Sequence, residues 1–229
     1  MSAAALWALV LVTWRERLSR PWFGTICLAI CASYVVIAVG QETLQDPIFI
    51  LTLMIGGGSI GRDVSSGVLP LLFTRPLRRG GYVLAKWLAL SSAVAALGAL
   101  TLVIQAAWLA HRGIGVPGVE VAADVFKGVS EAFGLTAVLL PLSVLVAGYS
   151  DVMLWIGIGL IPTLSRKLIS QRVADEWQMF LRPTLDWGTT FGAAPIGWFR
   201  VFSYFSTVTL CLCLAVVAAN RKELSYASG

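Results

Sequence analysis

Uncharged apolar runs of membrane length constrain the fold of this chain more than any other feature of its sequence. Residues 22–40 and 87–110 contain no Asp, Glu, Lys or Arg, and each run is close to or above the roughly 20 residues that a helix needs to cross a bilayer. Over the whole chain, 58% of the residues are hydrophobic and only 13% are charged, about half the charged fraction of ordinary soluble domains. The composition therefore predicts an integral membrane protein rather than a large soluble core.

The apolar pattern predicts an all-α integral membrane protein with a single transmembrane domain over residues 1–229. Six spans are predicted, at 22–40, 47–61, 82–110, 129–148, 152–165 and 196–219. The fifth apolar run has only about fourteen residues, so either a complete span or a re-entrant segment fits it. Gly57 and Gly61 form a small-xxx-small pair in the second span, which favours close helix contact. Ser150 or Asp151 is predicted to cap the helix of the fifth span.

Residues 1–20 are predicted to form an interfacial helix at the start of the chain. Their apolar stretch is only about twelve residues long and is followed at once by Arg15-Glu16-Arg17, so it is too short to cross the bilayer. Trp7 and Trp14 are expected to lie at headgroup level, because indole rings favour the membrane interface.

Residues 166–195 form the longest polar stretch and are predicted to be an outer loop with short helices. An amphipathic set in this loop could lie in the outer interface: Trp177, Met179, Phe180 and Leu181. The loop also holds four basic residues, which conflicts with the preference of basic loops for the cytoplasmic side. Six spans nevertheless place both chain termini in the cytoplasm.

The most basic part of the sequence, residues 61–86, lies between the second and third apolar runs. Its basic residues are Arg62, Arg75, Arg78, Arg79 and Lys86. A short loop of this kind stays on the cytoplasmic side. Apolar residues recur within it at helical spacing: Val64, Val68, Leu71 and Leu72. With cap candidates at Asp63, Ser65 and Ser66 and a stop at Pro76, the pattern predicts a short amphipathic helix at the cytoplasmic surface.

The same segment resembles the cytoplasmic loop of the permease subunits of type-2 ABC exporters, including those of the nitrous oxide reductase maturation kind. The matching elements are Arg62-Asp63, Ser66-Gly67-Val68-Leu69, Thr74-Arg75-Pro76 and Gly81-Tyr82-Val83-Leu84-Ala85-Lys86. The tail, residues 220–226, is similar to the cytoplasmic ending of that family.

The resemblance implies a type-2 ABC exporter permease fold and a loop, residues 62–80, that couples to a separate ATPase. Asp63 to Leu72 would be the coupling helix, and Arg75, Arg78 and Arg79 would meet acidic groups of the ATPase or anionic lipid headgroups. The implied ATPase-coupling residues are Arg62, Asp63, Ser65, Ser66, Gly67, Val68, Leu69, Leu72, Thr74, Arg75, Pro76, Arg78 and Arg79.

The implied assembly is an ATP-driven exporter in the inner (plasma) membrane. Its partners would be two copies of the ATPase, a second permease in a homodimer or heterodimer, and membrane lipids. ATP and Mg would be held by the ATPase, so this chain is expected to carry no cofactor and to be no enzyme. Two rivals stay open: a permease that serves metalloenzyme cofactor maturation, and a membrane scaffold without cargo.

Other chemistries find little support in the sequence. Gly56 and Gly61 resemble part of a phosphate-binding loop, but Arg62 and Asp63 replace the Lys and Ser/Thr that such a loop needs. The single histidine, His111, argues against a His-based metal site or a catalytic triad. Four cysteines could form a soft Cu(I) site, although packing is the default interpretation: Cys27, Cys31, Cys211 and Cys213. The net charge of +5 follows from membrane topology and implies no nucleic acid.

Few charged residues fall within the predicted spans, which argues against ion-coupled transport. Glu131 and Lys86 lie near the ends of their helices and are expected to reach water. Gln105 is the deepest polar side chain in the third span. An apolar path of this kind suits lipids, hydrophobic peptides or drug-like molecules, and the energy for transport would come from outside the chain.

Overall fold

A computed structural model describes residues 3–19, 21–65, 79–146, 150–164, 171–186 and 196–227, and the regular structure in these ranges is helical. In chain order the helices are α1 Ala3–Leu18, α2 Pro21–Gln41, α3 Ile48–Gly56, α4 Ser59–Ser65, α5 Arg79–His111, α6 Gly118–Leu145, α7 Ser150–Leu164, α8 Gln171–Leu181 and α9 Ile196–Ala227. Helix α6 lies at the centre, in contact with α3, α4, α5, α7 and α9.

Four of the described helices are long and apolar enough to cross a membrane. The qualifying segments are Phe23–Gln41, Arg79–His111, Gly118–Leu145 and Gly197–Arg221. They coincide with the first, third, fourth and sixth predicted spans, so the prediction of an all-helical membrane protein is confirmed. The second and fifth predicted spans correspond to shorter apolar helices, and the total of six spans stays a prediction.

The second predicted span is not one helix. Helix α3 ends at Gly56, α4 begins at Ser59, and Gly58 between them has a φ of 63°. That left-handed conformation is open to glycine at little cost and interrupts the helical hydrogen-bond ladder. The expectation of a continuous helix over 47–61, with Gly57 and Gly61 on one helical face, is therefore wrong.

A single isoleucine holds α3 against α5 and α6, the two most buried of the four helices of crossing length. Ile48 is fully buried, and its side chain lies where a Cβ would stand on Gly98 of α5 and on Gly128 of α6. Because neither glycine has a side chain, three helices meet at van der Waals distance around Ile48. Helices α5 and α6 also meet at Trp87, whose Nε1 donates to the Phe133 carbonyl at 2.9 Å.

Helix α1 packs along the first half of α5. Val10 is buried against Ala85 and Ala89, and Trp14 Nε1 donates a hydrogen bond to the Ala89 carbonyl at 2.7 Å. Trp14 was expected at headgroup level as an interfacial anchor, but its indole N–H is bound by a neighbouring helix. The interfacial placement of α1 as a whole stays a prediction.

Helices α7 and α8 form an antiparallel pair within the predicted outer loop and the span before it. Trp155 Nε1 donates to the Leu181 carbonyl and Trp177 Nε1 donates to the Ile158 carbonyl, each at 3.3 Å. Trp177, Met179 and Phe180 are exposed, whereas Leu181 is buried. The predicted outer helix exists and is amphipathic; its location in the outer interface stays a prediction.

Candidate functional site

Two buried contacts join α4 to the beginning of α5. Asp63 Oδ2 lies 2.9 Å from Lys86 Nζ, and the two side chains are only 14% and 10% exposed. Tyr82, one turn before Lys86, donates its hydroxyl to the same carboxylate oxygen. Asp63 therefore lies inside α4 and binds α5, so the prediction that it caps the start of a helix is wrong. The expectation that Lys86 reaches water is also wrong.

A second contact fixes the first residue of α5 to the last helix. Arg79 Nη1 donates to Asn220 Oδ1 at 3.2 Å, which joins α5 to the C-terminal part of α9. The two ends of the basic segment 66–78 are thus held by side chains on α4, α5 and α9.

The structure describes only part of the predicted coupling residues. It brings Asp63 and Arg79 to the beginning of α5, and Arg79 also contacts the C-terminal part of α9. Arg62 and Ser65 belong to α4, but their side chains are not described. The remaining predicted residues lie outside the described residues: Ser66, Gly67, Val68, Leu69, Leu72, Thr74, Arg75, Pro76 and Arg78. The amphipathic coupling helix accordingly stays a prediction.

Side chains from α6 and α7 hold the break between α3 and α4. The carboxylate of Asp151, which is fully buried, accepts the Gly58 N–H through Oδ2 and the Val152 N–H through Oδ1, both at 2.8 Å. Ser143 Oγ accepts the N–H groups of Ile60 and Gly61 at 3.0 and 3.1 Å. Backbone groups freed by a helix break need such partners, because hydrocarbon supplies none.

Asp151 was predicted only as a cap of its own helix, and its bond to Gly58 was not foreseen. The two residues are 93 positions apart, so no local pattern relates them. Ser143 was missed for the same reason, since a serine within an apolar helix usually bonds to its own backbone.

Replacing Asp151 with alanine is expected to lower the free energy of unfolding by about 1–3 kcal/mol, because Gly58 loses its carboxylate acceptor in a buried site. Asp151→Asn keeps one acceptor oxygen and should cost less. Thermal unfolding in detergent, followed by intrinsic fluorescence, measures the difference. The control is Ser33→Ala, at an exposed position within α2. Equal melting temperatures for the alanine variants of both positions would contradict the assigned role of Asp151.

A second ion pair lies towards the opposite ends of the helices. Arg182, just after α8, donates its Nε–H to Glu131 of α6, and its guanidinium carbon lies 4.8 Å from the centre of the Phe49 ring on α3. Glu131 is 0% exposed, so the expectation that it reaches water is wrong. The pair joins α8 to the core, and it places a buried acid in the fourth predicted span against a basic residue from the predicted outer loop.

Gln105 is also satisfied by the protein itself. Its Oε1 accepts the Gln45 N–H at 2.8 Å, and its Nε2 donates to the Gln45 carbonyl at 3.0 Å. This reciprocal pair replaces the backbone partners that residue 45 lacks between α2 and α3. Gln105 therefore fixes the connection between two helices.

An apolar furrow follows the line between α5 and α9. A cavity of about 390 Å³ lies beside Gly80 and Val216, and another of about 450 Å³ lies beside Phe126 and Leu185. Thr209 and Leu212 line both cavities, so the two are adjacent along the helices. The furrow thus extends from the beginning of α5 towards the beginning of α6, with Thr209 as a polar group between its two parts.

Metal chemistry and the comparisons add no further site. Within the described part of the chain, no three His, Cys, Asp or Glu side chains form a group that could hold a metal ion, and the four cysteines are free thiols. Comparison with known protein families and with curated proteins finds no match for this chain.

Proposed function

We propose that this chain is the membrane-spanning permease subunit of an ATP-driven ABC exporter, paired with a second permease and driven by two copies of a separate ATPase. The observation that carries the proposal is the anchoring of segment 66–78. Asp63 binds Lys86 and Tyr82 at one end of the segment, and Arg79 binds Asn220 at the other. A basic cytoplasmic segment held in this way is suited to receive a push from a soluble motor.

The helix break supplies the moving part of this mechanism. Ile48 fixes α3 between α5 and α6, whereas Gly57 and Gly58 connect α3 to α4. Helix α4 can therefore rotate about the break as a short lever. The bonds from α4 to Ser143 and from Gly58 to Asp151 would carry the displacement to α6 and α7.

In this proposal, the furrow between α5 and α9 is the part of the translocation path that this subunit forms. Its walls are apolar apart from a few hydroxyl groups such as that of Thr209. Apolar walls favour a hydrophobic or amphipathic cargo over an ion, because a desolvated charge would find no partner there. A displacement of α5 at Lys86 or Arg79 would change the width of the furrow at its inner end.

The double charge reversal Arg75→Glu and Arg78→Glu is expected to weaken co-purification with the ATPase by at least tenfold, because like charges would then meet at the docking site. Arg79 is left unchanged, because its hydrogen bond to Asn220 joins α5 to α9 and its loss would disturb the fold. The measurement is the ATPase recovered with the tagged permease from native membranes. The control is Arg112→Glu, at the opposite end of α5. Undiminished recovery would contradict coupling through this segment, and recovery of no ATPase with the native chain would favour the scaffold.

A further inference from the structure

A further apolar cavity opens between the C-terminal parts of α6 and α9 and the pair α7 and α8. Its volume is about 610 Å³, within the range of about 300–1,000 Å³ that is usual for ligand sites. Its walls come from α6, α7, α8 and α9, and include Pro141, Ile158 and Phe180. Arg221 of α9 supplies the charged side chain among the lining residues. Val217 lines both this cavity and the furrow between α5 and α9, so the two adjoin across α9.

The length of the cavity matches one leaflet of a bilayer. On α9 its lining begins at Cys211 and ends at Arg221, through residues spaced three or four apart on one helical face. Ten residues of helix rise about 15 Å, at 1.5 Å per residue. The hydrocarbon core of a bilayer is about 30 Å thick, so the groove covers half of it.

Arg221 lies at the polar end of this groove. Helices α6 and α9 run in parallel, because Tyr204 OH donates to the Ser130 carbonyl at 2.8 Å and the later residues Leu145 and Ala218 line the same cavity. Arg221 is exposed and follows the long apolar run of α9, which ends at Ala219. A guanidinium at the end of the apolar run of α9 attracts the phosphate of an anionic lipid headgroup.

The lining is almost wholly apolar, and its charged side chain, Arg221, lies at one end of the stretch from Cys211 to Arg221. A flexible, narrow apolar chain with an anionic end fits both the shape and the charge.

From this geometry we propose that the groove between α6, α7, α8 and α9 binds one acyl chain of an anionic phospholipid of the cytoplasmic leaflet, with its phosphate on Arg221. The proposal goes beyond transport itself. It rests on the proposed orientation of α9, and it does not require that the chain couples to an ATPase.

The test is lipid retention by the full-length protein. The chain is purified from liposomes of equal parts phosphatidylglycerol and phosphatidylcholine, washed in detergent, and its bound lipids are counted by native mass spectrometry. Arg221→Gln is expected to lower phosphatidylglycerol retention about fivefold and to leave phosphatidylcholine unchanged. Leu214→Trp fills the groove and should reduce retention of both lipids.

Two matched variants serve as controls. Leu210→Trp changes a residue of α9 with nearly the same exposure, 51% against 49% for Leu214, that does not line the groove. Arg15→Gln removes an exposed arginine of α1. Both should retain lipid as the native chain does. Equal losses at Leu210 and Leu214, or unchanged phosphatidylglycerol in Arg221→Gln, would overturn the proposal.

A photoreactive phosphatidylglycerol with its reactive group on the acyl chain gives an independent measurement. Cross-links are expected on residues 211–218 of α9 and to disappear in Leu214→Trp. Cross-links spread evenly over the exposed face of α9 would overturn the site. Neither result depends on ATPase recovery, so failure of the lipid site and failure of the coupling function remain distinguishable.

Discussion

Replacing Asp63 with leucine is expected to lower the free energy of unfolding by about 3 kcal/mol or more, because Lys86 would stay buried without its carboxylate partner. The two side chains are 14% and 10% exposed, so water screens the pair only weakly. The loss should appear as a lower melting temperature in detergent. It should exceed the effect of Glu16→Ala, which removes an exposed acidic residue from α1.

The double variant Asp63→Leu with Lys86→Met separates the charge effect from the packing effect. An apolar pair in place of a buried ion pair is often nearly neutral for stability, so the double variant should be more stable than Asp63→Leu alone. If the double variant unfolds at or below the temperature of the single variant, the unpaired charge of Lys86 is not the cause of the lost stability. Under the proposed function, the double variant should also show weaker coupling to the ATPase, since α4 would lose its directional bond to α5.

Gly128→Ala is expected to destabilise the protein by about 1–3 kcal/mol, although alanine is the better helix former. The new Cβ would collide with Ile48 Cδ1, and Ile48 is fully buried between α5 and α6. Thermal unfolding in detergent again measures the loss. The control is Gly24→Ala in α2, where nothing lies within 4 Å of the added Cβ. That variant should be neutral or slightly stabilising.

Ile48→Val supplies a sharper comparison, because valine lacks Cδ1 but keeps a carbon at the Cγ1 position. At Gly128 the colliding atom is Cδ1, whereas at Gly98 both Cγ1 and Cδ1 are too close. Ile48→Val should therefore rescue Gly128→Ala and fail to rescue Gly98→Ala. Rescue of both variants, or of neither, would contradict the described packing of Ile48 between α5 and α6.

The amino-acid sequence determined the class of the protein and the positions of its long helices. The apolar runs at 22–40, 82–110 and 196–219 each became a helix of crossing length, in α2, α5 and α9. Hydropathy over about 20 residues is a local property, so it can be read without knowing which helices are neighbours. The same holds for the amphipathic pattern around Trp177, which formed α8.

Only the tertiary structure decided how the polar groups are used. Asp151 bonds across 93 positions to Gly58, and Arg182 reaches Glu131 across 51. Asp63 binds α5 instead of capping its own helix. A buried charge or a free N–H is satisfied by whichever helix is packed beside it, and that neighbour is fixed by side-chain contacts such as those of Ile48 with two distant glycines. Local sequence patterns predict that a buried polar group needs a hydrogen-bond or ion-pair partner, but the packing of the helices determines which residue that partner is.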